Sequence, residues 1–441
     1  MDTKYSISLT GPQLIKTSLF LINLLITNSL ETTNLLVNNP NTPPHPPISI
    51  FGDTITNHRH AQINILFAYS IPADKVATAK VDTGLINGSA TIPTTANAVN
   101  SMAMLETGTG STGSAIINSK VAIQYVPGHD VEFLFAGMFT TGVANSVQWI
   151  GAYNSNDGFA VGYNGTTFSI LYRNSASGGT VETTIAQTNF NIDQLNGTGP
   201  SGITINPTNL NIFRISFGWM GNTPITFWTV RQDGTWFKFH TIQRPNNFTV
   251  PSVNIPMLQI RAEVTNAGNT SNLSLYTAAW MGGTIGDDDA TIVRIYTTEN
   301  LNFSSNTTEK PVLTLKNSAS TYYGKTNYLN IKLLFACVSG QTANVLMVYR
   351  LYKNSTLTGP TNFTDYSSGN SIVQVDTAST GVSGGTKILD IFGSNDSSTN
   401  LPLLTNNLHI VLLPGDTLTI TAYSTASATV NASLTWQEPV A

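Results

Sequence analysis

Between Val131 and His240 apolar and polar positions alternate with a period of two and break at short glycine-containing turns, the pattern of antiparallel hairpins. Phe159, Val161 and Tyr163 alternate with Ala160 and Gly162, and Phe168, Ile170 and Tyr172 repeat the pattern further on. Asn164-Gly165 between these runs is read as a type I′ turn, which needs positive φ at both central positions. Next, Phe213, Ile215, Phe217 and Trp219 oppose Ile212, Arg214, Ser216 and Gly218, so the first set is expected to face a core. Met220-Gly221-Asn222 turns the chain into Ile225 to Val230, and Asp233-Gly234 turns it again into Trp236 to Phe239.

Residues 1–47 follow a different pattern. Leu14, Ile15, Leu19, Ile22, Leu25 and Ile26 recur at spacings of three and four, which predicts a helix with a wide apolar face. The run is broken by Asn23, lacks a small-residue cleavage site and falls short of the ~20 apolar residues of a membrane span. These six residues are read as an assembly arm, with packing on the arm's own domain as the open alternative. The proline-rich stretch NPNTPPHPP, Asn39 to Pro47, is a stiff linker.

Residues 48–304 form a first β domain whose core is expected at about 114–300. Ile63, Ile65 and Phe67 share one face there, whereas Ala77 to Gly113 has few large apolar residues and reads as a long loop or short irregular strands. Residues 305–441 make a second β-sandwich or jelly roll. In it Leu329, Ile331, Leu333 and Phe335 form one face, and Val345, Met347, Tyr349 and Leu351 another.

Composition narrows the partners. Of 441 residues only 10% are charged, against about 25% in an average soluble protein. Asn, Ser and Thr supply the polarity instead, so the Asn-X-Ser/Thr sequons at Asn164, Asn247, Asn354 and Asn431 arise by chance and carry no weight. Twenty basic residues are spread thinly through a chain of net charge −4, which leaves no stripe to neutralise a run of phosphates and disfavours nucleic acid. The single cysteine, Cys337, has no partner for an intrachain disulfide and reads as a small buried hydrophobe. Assembly in a host cytoplasm fits a chain without disulfides.

Catalytic parts are sparse. Six histidines, one cysteine and no Gly-X-Ser-X-Gly elbow leave a nucleophile without partners. Among the dispersed acids, Asp130, Glu132, Asp157 and Glu263 offer no favoured glycosidase pair. His58 and His60 share one side of a strand but lack an acidic or thiol partner for a metal. Asn154, Asn156 and Asp157, like Asp287 to Asp289, read as turns rather than calcium loops. The chain is expected not to be an enzyme and to hold no metal or cofactor. Aromatic residues are the better lead: Trp149, Tyr153, Tyr163, Trp228 and Trp236 cluster in the central hairpins, and flat rings stack on sugar faces. Alternation places Trp219 inward.

The stretch IFRISFGWMGNTPITFWTVRQDGTWFKF resembles the central hairpins of concanavalin-like and laminin-G-like sandwiches. QWIGAYNSNDGFAVGYNGTTFSILYRN, with FNIDQLNGTGPSG after it, resembles structural proteins of large double-stranded DNA viruses and tailed phages, and the C-terminal strands resemble head domains of viral fibres. Fold class is thus expected to be all-β: a helical arm, a concanavalin-like (jelly-roll type) sandwich and a second, C-terminal sandwich. The viral resemblance implies a non-enzymatic minor capsid, spike or fibre component of the virion, a homotrimer that binds copies of itself and other capsid or tail proteins. The alternative is a glycan-binding receptor-recognition head or adhesin that engages a host surface glycan through the central sandwich.

Overall fold

The period of two carries through to the architecture: among the described residues every long element is a strand, and the helical residues are one 3-10 turn, Gln187–Asn189. The computed structural model describes residues 59–87, 101–286, 293–318, 321–342, 344–393, 399–400 and 409–439. The chain divides into Met1–Thr56 and Asn57–Ala441. The expected arm, with Leu14, Ile15, Leu19, Ile22, Leu25 and Ile26, lies outside the described residues, as do His58 and Asp287 to Asp289.

The first sandwich packs a nine-stranded sheet against a seven-stranded one. Side by side in the first run Trp236–Ile242, Ile225–Val230, Asn211–Phe217, Asp130–Phe139, Ser274–Thr277 and Ala103–Glu106, while Ala279–Ile285 pairs both with Asp130–Phe139 and with Arg59–Leu66. The second contains, in order, Val181–Ala186, Thr167–Asn174, Gly158–Asn164, Ser146–Tyr153, Ile260–Asn266, Ser114–Ser119 and Val76–Val81. Phe213, Ile215 and Phe217 are buried between the sheets, as alternation requires, and Phe159, Val161, Ile63, Ile65 and Phe67 join them. Each such side chain contributes ~1.5–3 kcal/mol of burial. Trp219 packs against this core and donates its indole N–H to Val253 O at 3.0 Å. Within Ala77 to Gly113 the described part is short strands, and Ala103 and Leu105 reach the core from them.

The first hairpin differs from expectation by one residue. Asn164 pairs with Thr167, so the two-residue loop is Gly165-Thr166 rather than Asn164-Gly165. Only Gly165 has positive φ, +58°, which is the type II′ requirement of glycine at the first loop position.

In the second sandwich, Val293–Ser305, Ala428–Pro439 and Ile331–Gly340 lie in a five-stranded sheet. Facing it is a six-stranded sheet ordered Thr364–Asp365, Val373–Asp376, Lys310–Asn317, Thr417–Ser424, Met347–Lys353 and Thr386–Gly393. Val345, Met347, Tyr349 and Leu351 are buried on one face, and so are Leu329, Ile331 and Leu333. Phe335 is not: a register shift between Leu333 and Phe335 inserts a residue, so Ala336 takes the inward place and Phe335 is 40% exposed. The same shift leaves Cys337 half-buried rather than in the core.

Candidate functional site

The strand order of the nine-stranded sheet decides which side chains share its outer face. Arg214 pairs with Trp228, Trp228 with Lys238, and Val230 with Trp236, so all of these project away from the core that Phe213, Phe227 and Phe239 occupy. The five-residue loop Arg231 to Thr235 sets this register: Arg231 and Thr235 share a backbone hydrogen bond, and Asp233 Oδ1 accepts from both the N–H and the hydroxyl of Thr235, at 2.9 and 2.7 Å. Trp228 and Trp236 therefore stand on one face of neighbouring strands.

Between them lies Arg214. Its guanidinium carbon is 4.1 Å from the ring centroid of Trp228 and 4.9 Å from that of Trp236, and Lys238 Nζ sits 5.5 Å from the Trp228 ring. Glu132, on the adjoining strand, anchors the stack: its Oε1 accepts from Arg214 Nη1 at 3.3 Å and its Oε2 from Arg59 Nε at 2.8 Å. Burial pushes the Arg214 guanidinium below its usual range, Glu132 opposing that shift and Arg59 adding to it. Trp228 is pinned further by its indole N–H, which donates to Thr226 Oγ1 at 2.9 Å. The result is two half-buried indole rings held by one guanidinium, with the Lys238 ammonium beside Trp228 as a donor.

The other candidate aromatics are placed differently. Tyr163 points into the core, against Phe139 and Phe168, and offers no ring to solvent. Trp149 and Tyr153 lie on the outer face of the seven-stranded sheet but are buried in a small cluster with Ala160 and Leu171. Arg173 and Arg261 each stand 5.4 Å from the Tyr153 ring, and Glu263 is held by Arg261 at 2.8 Å. Burial raises the Tyr153 phenol well above its usual value, Glu263 adding to this and the two arginines opposing it. Strand alternation distinguishes inward from outward positions, but it does not say when long arginine side chains will roof an outward ring. The five candidates thus divide: Trp228 and Trp236 come together, whereas Trp149, Tyr153 and Tyr163 present no stacking surface.

Asn154, Asn156 and Asp157 form a turn. Asn154 Oδ1 accepts from the N–H groups of Asn156 and Asp157 at 2.8 and 2.9 Å. Asp157 Oδ1 accepts the N–H groups of Ser175 and Asn254, so this carboxylate ties three loops together. Of the acids considered for catalysis, Glu132 and Glu263 are each engaged by arginine, and Glu132 was not foreseen as the anchor of the tryptophan face. The signal lay in the alternation, which puts Arg214 outward beside Trp228.

No protein family matches the chain, and no curated protein does. Among solved structures it is similar to a β-1,3-glucanase from Mycobacterium marinum, at 9% identity over 51% of this chain and 98% of that one, with a TM-score of 0.32. A legume lectin-like domain from Entamoeba histolytica matches at 12% identity, 51% and 97% coverage and a TM-score of 0.29. The binding domain of botulinum neurotoxin serotype D/C matches at 13% identity, 55% and 53% coverage and a TM-score of 0.27. At such scores these likenesses assign no site. The expectation that the chain is not an enzyme is withdrawn: glycosyl hydrolases are among the similar structures, and at these scores they assign the chain no activity. Nothing found supports a virion role, a homotrimer or capsid partners. Over the described residues the chain is all-β and built on sandwiches. No helix among the described residues is long and apolar enough to cross a membrane.

Proposed function

We propose that this protein recognises glycans through the outer face of the nine-stranded sheet, with Trp228 and Trp236 as stacking surfaces. The observation that carries the reading is the Arg214 stack: one guanidinium holds two half-buried indole rings on the same outer face of the sheet. Rings held in advance lose little freedom on binding, and a sugar ring offers them its C–H face while its hydroxyls reach the Lys238 ammonium beside Trp228. A purely structural role for two tryptophans would place them inside, as Trp280 and Trp436 are.

The test is a glycan array on the full chain, spanning neutral, sialylated and sulfated saccharides, followed by calorimetry on the best ligand with Trp236→Ala and Trp228→Ala. Each variant is expected to weaken binding at least about tenfold, the equivalent of one lost ring contact of ~1.4 kcal/mol. Binding by both variants at wild-type strength, or an array with no ligand, would sink the proposal.

A further inference from the structure

The second sandwich carries a groove that the tryptophan face does not involve. At the edge of its six-stranded sheet a small hairpin, Thr321–Tyr322 paired with Lys325–Thr326, stands beside Thr364–Asp365 and Val373–Asp376. Between them is a cavity of about 330 Å³, lined by Thr321, Tyr322, Tyr323, Asp365, Ser371 and Gln374 among others. Its size falls at the lower end of small-molecule sites, ~300–1,000 Å³. Its walls combine two aromatic rings with carboxylate, amide and hydroxyl groups.

Tyr323 is the unusual member. It occupies the first loop position of the hairpin at φ +48°, with Gly324 at +74° after it, so both central residues adopt the left-handed conformation of a type I′ turn. Asn or Gly suits that position; a bulky aromatic side chain is strained there. Yet this ring is 74% exposed, so burial gives no return for the strain. It is held in place all the same: its centroid is 4.6 Å from that of Tyr322 in an edge-on contact, and its hydroxyl donates to Gly369 O across the groove. Opposite, Asp365 Oδ1 accepts from Gln374 Nε2 at 3.0 Å, which orients a carboxylate and an amide at the cavity wall.

We infer that this groove is a second, independent saccharide site, in which a neutral pyranose stacks on the Tyr323 ring while Asp365 and Gln374 take its hydroxyls. A strained, exposed ring fixed over a polar cavity fits a neutral sugar, because Asp365 disfavours an anionic one. The inference does not depend on the tryptophan face.

Titration of the full chain with methyl glycosides of glucose, galactose, mannose and N-acetylglucosamine, followed by saturation-transfer NMR and calorimetry, tests it. Tyr323→Asn keeps the turn, since Asn accepts the left-handed conformation, and is expected to weaken binding at least about tenfold without lowering the thermal midpoint. Asp365→Asn should weaken it as well. The inference is overturned if no glycoside binds at millimolar concentration, or if Tyr323→Asn binds as wild type. Loss of glycoside binding in Trp236→Ala alone would move the site to the first sandwich.

Discussion

Arg214 stacks on Trp228 with its guanidinium carbon 4.1 Å from the ring centroid, while its Nη1 donates to Glu132 on the other side. One side chain thus couples a half-buried aromatic face to a carboxylate that is only 8% exposed. Arg214→Ala leaves Glu132 buried with Arg59 alone and is expected to destabilise the fold by about 3 kcal/mol. A double-mutant cycle with Trp228→Ala, read by urea unfolding, should return a coupling of about 0.5–2 kcal/mol. Additive variants would mean that the stack does not hold the Trp228 ring.

His240 makes stability depend on pH. Its ring lies between Phe190 and Phe227, and its Nδ1 accepts the N–H of Asn191 at 3.1 Å, so a proton added there would face a donor. Burial pushes its pKa down to about 4. The unfolded chain binds that proton near 6.5, so the native state is the less protonated one. The contribution is present above pH ~6.5 and lost as pH falls toward 4, on the order of 3 kcal/mol in all. Urea midpoints of wild type and His240→Phe, taken from about pH 7 down to about pH 4.5, should show the wild type losing more stability. Parallel losses would show that other groups, not His240, set the acid response.

Much of this was legible along the chain, and the failures have physical causes. Phe213, Ile215 and Phe217 were placed inward correctly because a half-buried strand has one period and one core. Phe335 was misplaced because a bulge leaves no mark in an alternation of apolar residues. Trp149 and Tyr153 were proposed as stacking rings because they cluster with the other aromatics, yet Arg173 and Arg261 cover Tyr153, a contact between strands that no local pattern encodes. The Tyr322-Tyr323 groove escaped notice because its other wall comes from the stretch between Asp365 and Gln374, about 40–50 positions further on.

Gly162 illustrates how closely the seven-stranded sheet is built. It pairs with Trp149 at φ +151°, and a Cβ there would come within 1.9 Å of the Gln148 carbonyl oxygen. Backbone, not a movable side chain, blocks the space. Gly162→Ala is expected to cost about 2–4 kcal/mol, seen as a lower urea midpoint with an unchanged slope. A midpoint within experimental error of the wild type would show that the strand pair can shift to admit a methyl group.

Arg244 ties the sandwich edge to the loop that follows it. Its side chain is 1% exposed, donates to Asn222 Oδ1 at 2.9 Å, to Tyr172 Oη at 2.7 Å and to Val250 O, and lies 4.0 Å from the Phe248 ring centroid. Burial lowers its pKa, with Tyr172 opposing the shift, and these three hydrogen-bond acceptors carry no formal charge. Arg244→Met keeps the volume but leaves those three acceptors without their donor, a loss of about 2–4 kcal/mol. The loop should loosen first, because its other ties, Asn174 Nδ2 to Pro251 O and the Ser252 N–H to Gly221 O, depend on the path Arg244 sets. Hydrogen exchange resolves the two effects: the Ser252 amide should lose protection in Arg244→Met well before the amides of Ile215 and Phe227 do. Equal loss at all three would mean that Arg244 supports the whole sandwich rather than the loop.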